Sequence, residues 1–275
     1  LGRPRDPEGG VVVSNPRRRV GRVTLRGVIV HLGVVLELQV ALGTALGDDQ
    51  GPAVPGGQLG AVPRSERRGV RTKIDEHVEH RPAAAVWPTT SKQVSRILTL
   101  ANAHRFTVTP RGAGTGLAGA AVPAGGGLIL DLCRMNKILD VQIVDRRVVV
   151  QPGVVYADLE RALTPHGFFF PPDPASGKVC TLGGNVVTNA GGLKGAKYGV
   201  TKDYVMALEV VLPDGRIMRT GSNCMKSVSG YDLTRLFVGS EGTLGVATEI
   251  TLKISPKPKA FKTGLALFPS LKDAG

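Results

Sequence analysis

Aromatic residues make up only 4% of this 275-residue chain, and cysteine occurs three times. So few large rings, beside 37 glycines, favour a loop-rich, ligand-cradling protein of mixed helix and sheet over a β-sandwich. The cysteines, Cys133, Cys180 and Cys224, are far apart and form no C-x-x-C pair. Neither a disulfide framework nor a metal or iron–sulfur site is supported, all three are expected to be buried small residues, and a reduced, cytoplasmic setting follows. Long apolar runs are missing too. The most apolar early stretch, residues 28–36, contains His31 and falls short of the roughly 18–20 residues that cross a bilayer. It also lies behind too many arginines to read as a secretory signal. Lysine is absent from residues 1–72, which hold eleven arginines, whereas the rest of the chain has thirteen lysines and eleven arginines. A break this sharp predicts that residues 1–72 are a disordered extension or lie outside the genuine coding frame.

The net charge of +13 is compatible with nucleic acid. However, the basic residues are scattered, and no aromatic–basic interleaving, helix-turn-helix or zinc pattern accompanies them. A generally basic surface that favours anionic ligands is the expectation, with no nucleic-acid partner.

What the chain has in abundance is clustered glycine. Residues 110–127 contain seven glycines among eighteen residues and follow a β-like run at 106–109. Glycine tolerates positive φ and leaves backbone N–H groups free to converge, which suits a phosphate or diphosphate. Gly114-Thr-Gly116-Leu-Ala-Gly119 matches the dinucleotide fingerprint G-x-G-x-x-G, but that fingerprint requires a helix to begin inside it. Pro123 and residues 125–127, all glycine, forbid one. A cradle of backbone amides without a helix fits better than a Rossmann turn.

Upstream, residues 81–88 read as a short strand between prolines. Ser91 stands at a helix N-cap, with Val94, Ile97, Leu98 and Ala101 at helical spacing. Strands are expected at 128–131 and 146–151, and a helix at 156–163. A second cluster then follows: Pro171-Pro-Asp-Pro-Ala-Ser176, Thr181-Leu-Gly-Gly-Asn185 and Thr188-Asn-Ala-Gly-Gly192. Two readings stand side by side, a wall around a flat heterocycle or a pair of tight turns about a short helix. Residues 207–220 form a hairpin around Pro213-Asp-Gly215. A short helix at 231–237 carries Leu233 and Leu236 on one face. The third cluster, Gly239-Ser-Glu-Gly-Thr-Leu-Gly245, precedes an alternating strand at 246–254, and another strand is expected at 264–268.

Together the three clusters, in this order, resemble the FAD-binding half of the FAD-linked oxidases. These are flavoproteins of the vanillyl-alcohol oxidase and p-cresol methylhydroxylase (PCMH) type, and within them the glycolate oxidase D subunit and D-lactate dehydrogenase group is the nearest. The resemblance covers about residues 74–262. It implies an α+β, PCMH-type domain of two subdomains over residues 73–262, with 263–275 beginning a substrate domain that is cut short. By the same resemblance, Pro110, Arg111, Gly112, Ala113, Gly114, Thr115, Gly116 and Gly119 hold the diphosphate of FAD. Pro172, Asp173, Ser176, Gly183, Gly184 and Asn185, with Asn189, Ala190, Gly191 and Gly192, line the flavin and ribityl region. Glu241, Gly242, Gly245 and Val246 flank the adenine and ribose. Relatives that attach FAD covalently through the first loop do so with a histidine; Thr115 occupies that neighbourhood, so non-covalent FAD is implied.

The implied chemistry is oxidation of a D-2-hydroxy acid to the 2-oxo acid by hydride transfer to FAD. Oxygen, a quinone, a cytochrome or an iron–sulfur partner subunit takes the electrons. None of the five histidines, His31, His77, His80, His104 and His166, qualifies as a catalytic base, so the catalytic residues stay unassigned and the fragment is expected to be inactive alone. The alternatives are an enolpyruvyl-reductase-type FAD enzyme of the same fold and a non-enzymatic basic binding module.

Overall fold

The computed structural model describes residue 80 and residues 82–274. The expectations for residues 1–72, and for His31 and His77, lie outside the described residues.

The first subdomain is a three-stranded parallel sheet. Strand β1 (Ala84–Val86), helix α1 (Ser91–His104), β2 (Val108–Arg111) and β3 (Leu128–Asp131) follow in sequence, and the strand order is β1-β3-β2. The central β3 has Leu128, Ile129 and Leu130 all buried, the continuous apolar run of a parallel strand covered on both faces. Helix α1 buries Val94, Ile97, Leu98 and Ala101, the positions that helical spacing selects. Its cap is Thr90 rather than Ser91: Thr90 is extended at φ −137° and its hydroxyl accepts from Gln93 N–H. Strand β2 starts two residues later than expected. Arg105 turns left-handed at φ 56°, and Phe106 N–H donates back to Ala101 O, so the helix exit occupies the residues before Thr107.

The second subdomain is a five-stranded antiparallel sheet of order β4-β5-β9-β7-β8. It comprises β4 (Ile138–Gln142), β5 (Arg147–Val150), β7 (Val205–Val211), β8 (Ile217–Gly221) and β9 (Val246–Lys253). Strand β4 is an edge strand, half-exposed and irregular between Ile138 and Asp140, and its sequence carries little signal. Strand β9 was expected to alternate. Instead, six of its eight residues are buried, because it lies between β5 and β7 and is covered on both faces. The β7–β8 hairpin turns at Gly215, φ 88°, whose N–H donates to Leu212 O.

Helix α2 (Tyr156–Leu163) sends Tyr156, Leu159 and Leu163 into the core beneath this sheet, and Phe170 stacks at tilted angles between Tyr156 and Tyr204. A two-stranded ribbon joins β6 (Phe168–Phe169) to β10 (Ser255–Pro256). Helices α3 (Leu182–Thr188) and α4 (Gly195–Tyr198) follow β6, α5 (Leu233–Phe237) follows β8, and α6 (Leu271–Ala274) comes last.

Two expectations are corrected. Helix α5 buries Thr234 and Phe237, while Leu233 and Leu236 are 40% and 57% exposed. Its cap is Asp232, and a hydrogen bond from Thr234 Oγ to Thr220 Oγ of β8 turns that face inward. Residues 264–268 form no strand. They run exposed, without a partner strand among the described residues.

The two sheets are tied through α1. Ser91 Oγ donates to Glu209, and Ser95 Oγ donates to Gly215 O in the hairpin turn. Glu209 also accepts from Thr248 Oγ at 3.0 Å and pairs with Arg219 at 2.8 Å, which in turn reaches Glu249 at 2.7 Å. Removing the carboxylate strands several donors at once. Glu209→Ala is expected to lower the unfolding free energy by about 1.5–3 kcal/mol in urea titrations, the range for hydrogen bonds to a charged group; a loss under half of that would refute the tie.

Candidate functional site

The first glycine loop leaves β2 with its main-chain donors unspent. Among the described residues, none accepts a backbone N–H from residues 113–119. Gly114 and Gly119 have φ of 69° and 90°, and no helix follows, as the proline and glycine run requires. Arg111 folds over its own loop: a Cβ on Gly114 would lie 2.7 Å from the guanidinium. Gly112 faces the second cluster, where an added Cβ would overlap Thr181 Oγ. Its glycine is therefore needed for contact between the clusters, apart from any need to leave room for a phosphate. Residues 114–118 are exposed.

Thr181 is also the N-cap of α3, accepting from Gly184 N–H. Gly183 packs on Pro152, donating its N–H to Pro152 O at 2.8 Å, with no space for a Cβ. Asn185, 3% exposed, points its amide where Nδ2 finds no hydrogen-bond partner among the described residues. Helix α3 ends at Asn189, φ 50°, whose side chain accepts from Lys202 N–H. Beyond it, Gly192, φ 138°, sits flush against the Asp173 carbonyl, and Lys194 pairs with Asp173 at 3.2 Å. The Pro-Pro-Asp-Pro turn is thereby clamped to the Asn-Ala-Gly-Gly segment. Of the two readings of the second cluster, the tight turns about a short helix are present.

The third loop is anchored on the end of α3. Gly239 N–H donates to Val186 O and Glu241 N–H to Val187 O, at 3.0 and 2.8 Å. Glu241 takes φ 52° and Gly242 φ 81°, which brings Gly242 against the Pro110 ring. The three clusters meet at a cleft whose enclosed part is about 40 Å³. Of the sequence-predicted residues, it brings together Pro110, Arg111, Gly112, Gly183, Gly184, Glu241, Gly242, Gly245 and Val246. Residues 113–119, exposed from 114 to 118, lie outside its lining, as do Pro172, Asp173, Ser176, Asn185 and residues 189–192. Leu132, Pro152, Thr181, Val187 and Ala247 line it and were missed. For Thr181 the signal was available, a threonine directly before Leu-Gly-Gly at a helix start. A larger groove of about 440 Å³ lies on the far side of Pro110, between α1 and residues 242–246, and touches neither Gly112 nor the second cluster.

The titratable groups around the site are structural. Burial, with the Asp131 carboxylate nearby, pushes the Cys133 thiol up to about 12. Burial also raises Cys180, with the Ser176 side chain opposing the shift. Of the three cysteines expected to be buried, only Cys180 is: Cys133 is half-buried and Cys224 exposed. Glu160 accepts from Phe170 N–H at 2.6 Å, just before the Pro-Pro-Asp-Pro turn. Burial raises its pKa, opposed by that hydrogen bond and by Lys194 and Lys257. Among the described residues there is no metal-binding group of His, Cys, Asp or Glu, and no helix is long and apolar enough to cross a membrane.

A loop of free backbone amides with no helix after it, two further glycine turns, and a parallel and an antiparallel sheet make an α+β protein outside the Rossmann class. Residues 82–221, half of the chain, match the FAD binding domain family, and the chain belongs to it. It is 51% identical over 193 residues to the glycolate oxidase subunit GlcD of Bacillus subtilis, covering 70% of this chain and 41% of that protein. It is 45% identical over 193 residues to a D-lactate dehydrogenase of Anaerostipes hadrus, covering 70% and 40%. A solved alkyldihydroxyacetonephosphate synthase superposes on 66% of this chain and 33% of its own, with 30% identity and a TM-score of 0.59. The chain thus spans about two-fifths of the length of the first two relatives. Its cofactor is FAD, and it is similar to the FAD-binding part of the FAD-linked oxidoreductases named glycolate oxidase subunit GlcD and D-lactate dehydrogenase.

Two outcomes follow from this geometry. Gly112→Ala is expected to cost about 1–3 kcal/mol of stability by overpacking against Thr181. The same change in a Thr181→Ala background should cost much less, and equal costs in the two backgrounds would rule out the contact. For Glu160, a raised folded-state pKa makes its stability contribution complete below its ordinary value of 4.5 and lost as pH rises through the folded value. The stability advantage of Glu160→Gln over wild type should therefore grow from pH 4.5 toward neutrality, read from urea midpoints; a constant difference would contradict it.

Proposed function

We propose that this chain is the FAD-holding part of an enzyme that oxidises a D-2-hydroxy acid of the glycolate or D-lactate type to the 2-oxo acid. The observation that carries the cofactor's placement is the run of unspent N–H groups over residues 113–119, opening beside the cleft where the other two clusters meet. Backbone donors in fixed positions hold a diphosphate without a reorganisation cost at binding.

The residues present fit FAD. The amides from Arg111 to Gly116 take the diphosphate, with the Gly114 and Gly119 turns shaping the cradle and the Arg111 guanidinium beside it. Gly183, Gly184 and Asn185 hold the ribityl and flavin region, and the orphaned Asn185 Nδ2 supplies a donor there. The clamp of Pro172, Asp173 and Gly192 closes that end, with Ser176, Asn189, Ala190 and Gly191 behind it. Glu241, Gly242, Gly245 and Val246 wall the adenine and ribose end. Bound there, FAD supplies the hydride acceptor that the oxidation needs. The loop has no histidine to bond the cofactor covalently, so FAD is held non-covalently.

None of the described histidines lines the cleft, so the group that takes the hydroxyl proton and those that hold the substrate carboxylate belong to another part of the whole protein. The electron acceptor, an iron–sulfur partner subunit or another carrier, engages that whole protein as well. On this reading the domain over residues 73–262 binds FAD and is inactive alone.

The purified chain, titrated with FAD, should take up one flavin per chain and quench its fluorescence. Acid precipitation should return all the flavin to the supernatant. D-lactate or glycolate should leave the bound flavin oxidised in this chain and reduce it in a full-length relative. Absence of uptake would sink the cofactor placement; reduction by NADPH instead of a hydroxy acid would favour the enolpyruvyl-reductase reading.

A further inference from the structure

On the FAD placement proposed above, the flavin end of the site is closed by two segments whose main chains touch without bonding. Among the described residues, no backbone hydrogen bond joins residues 171–176 to residues 189–195. Gly192 lies flush against the Asp173 carbonyl, and that contact sets how near the two segments come. A van der Waals contact resists approach and adds little against separation. The attraction that keeps the segments together is the pair of Lys194 with Asp173, at 3.2 Å, two residues past Gly192.

Lys194 has a second seat. Its ammonium stands 5.9 Å from the centre of the Phe169 ring, and the edge of Tyr198 packs on that ring at 5.5 Å. Phe169 is paired with β10, and its neighbour Phe170 is tied to α2 twice: its N–H donates to Glu160, and its carbonyl accepts from the Tyr156 hydroxyl. The residue that holds the turn is therefore seated on the same strand that α2 holds. Lys257, the other lysine nearby, is engaged at the end of α2, donating to Thr164 Oγ at 2.9 Å. Lys197, three residues past Lys194, covers the Tyr198 ring at 5.1 Å and pairs with no carboxylate among the described residues.

We propose that Lys194 is a positioning residue: paired with Asp173 and seated on Phe169, its ammonium holds the Pro-Pro-Asp-Pro turn against the Asn-Ala-Gly-Gly segment and so fixes the shape of the flavin end. It acts through Asp173 and the turn rather than by touching the cofactor. This rests on the FAD placement proposed above.

The full chain is titrated with FAD by fluorescence quenching, and the absorption spectrum of the bound flavin is recorded. Lys194→Met should bind FAD about 2- to 5-fold more weakly, the fold-change of a half-exposed ion pair, and should shift the visible band of the bound flavin. Its urea midpoint without FAD should stay close to wild type, because such a pair adds little to global stability. Lys194→Arg, which keeps the charge, should restore both affinity and spectrum. Lys197→Met removes a neighbouring charge of the same sign and should alter neither, which separates positioning from a general attraction for anions. In an Asp173→Asn background, Lys194→Met should have no further effect. Unchanged affinity and spectrum in Lys194→Met would overturn the proposal. So would an equal loss in Lys197→Met, or an undiminished loss in the Asp173→Asn background. A urea midpoint that falls without FAD as far as with it would overturn it too, since the lysine would then be purely structural. If wild type itself takes up no FAD, the cofactor placement fails first and this proposal with it; if wild type and Lys194→Met bind equally, only the proposal fails.

Discussion

Two hydrogen bonds at the end of a seven-residue helix hold the site together. The N–H groups of Gly239 and Glu241 donate to the carbonyls of Val186, which also takes the capping N–H of Asn189, and of Val187, in the last turn of the helix. They lock the third glycine loop onto the helix that carries the second cluster. At the start of the same helix, Thr181 meets Gly112 of the first cluster. One short helix therefore gathers segments more than a hundred residues apart in sequence. The left-handed backbone at Glu241 is the local strain that this anchoring sustains.

Around that helix the two sheets divide the work. The parallel subdomain delivers the first loop from the end of β2, where strand and loop both need a covered, rigid base. The antiparallel subdomain supplies the Pro152 turn, the third loop and the strand β9 that follows it. The ties from α1 to Glu209 and Gly215 fix the spacing between the sheets, so a cleft at their junction inherits its width from contacts outside it. Glu160 plays a similar part for the Pro-Pro-Asp-Pro turn, fixing Phe170 from below at the cost of a partly desolvated carboxylate.

Much of the fold was legible where the pattern was long and local. The apolar positions of α1, the bounds of α2, the β7–β8 turn at Gly215 and the run of β3 all appear as periodicity or turn chemistry predicts. The misreadings have tertiary causes. Helix α5 turned its threonine inward because Thr220 waited there, not because of its own pattern. Strand β9 lost its alternation through double coverage, and β4 escaped notice as a half-exposed edge. The apparent strand at 264–268 had β-type residues but no partner, and without a neighbour to take its main-chain hydrogen bonds it did not form.

Sequence alone determined the kind of backbone at the site: three glycine-rich turns, no helix after the first, and a proline-stiffened segment between. These are intrinsic, because φ preference and the missing proline N–H act residue by residue. It also determined the family, through the order of those motifs. Tertiary structure alone decided which of these residues share the cleft, that Gly112 yields its Cβ space to Thr181, and that Asn185 is left with a buried polar atom unpaired. Those outcomes depend on contacts between residues far apart in the chain, and no local pattern encodes where a distant hydroxyl or carbonyl will come to rest.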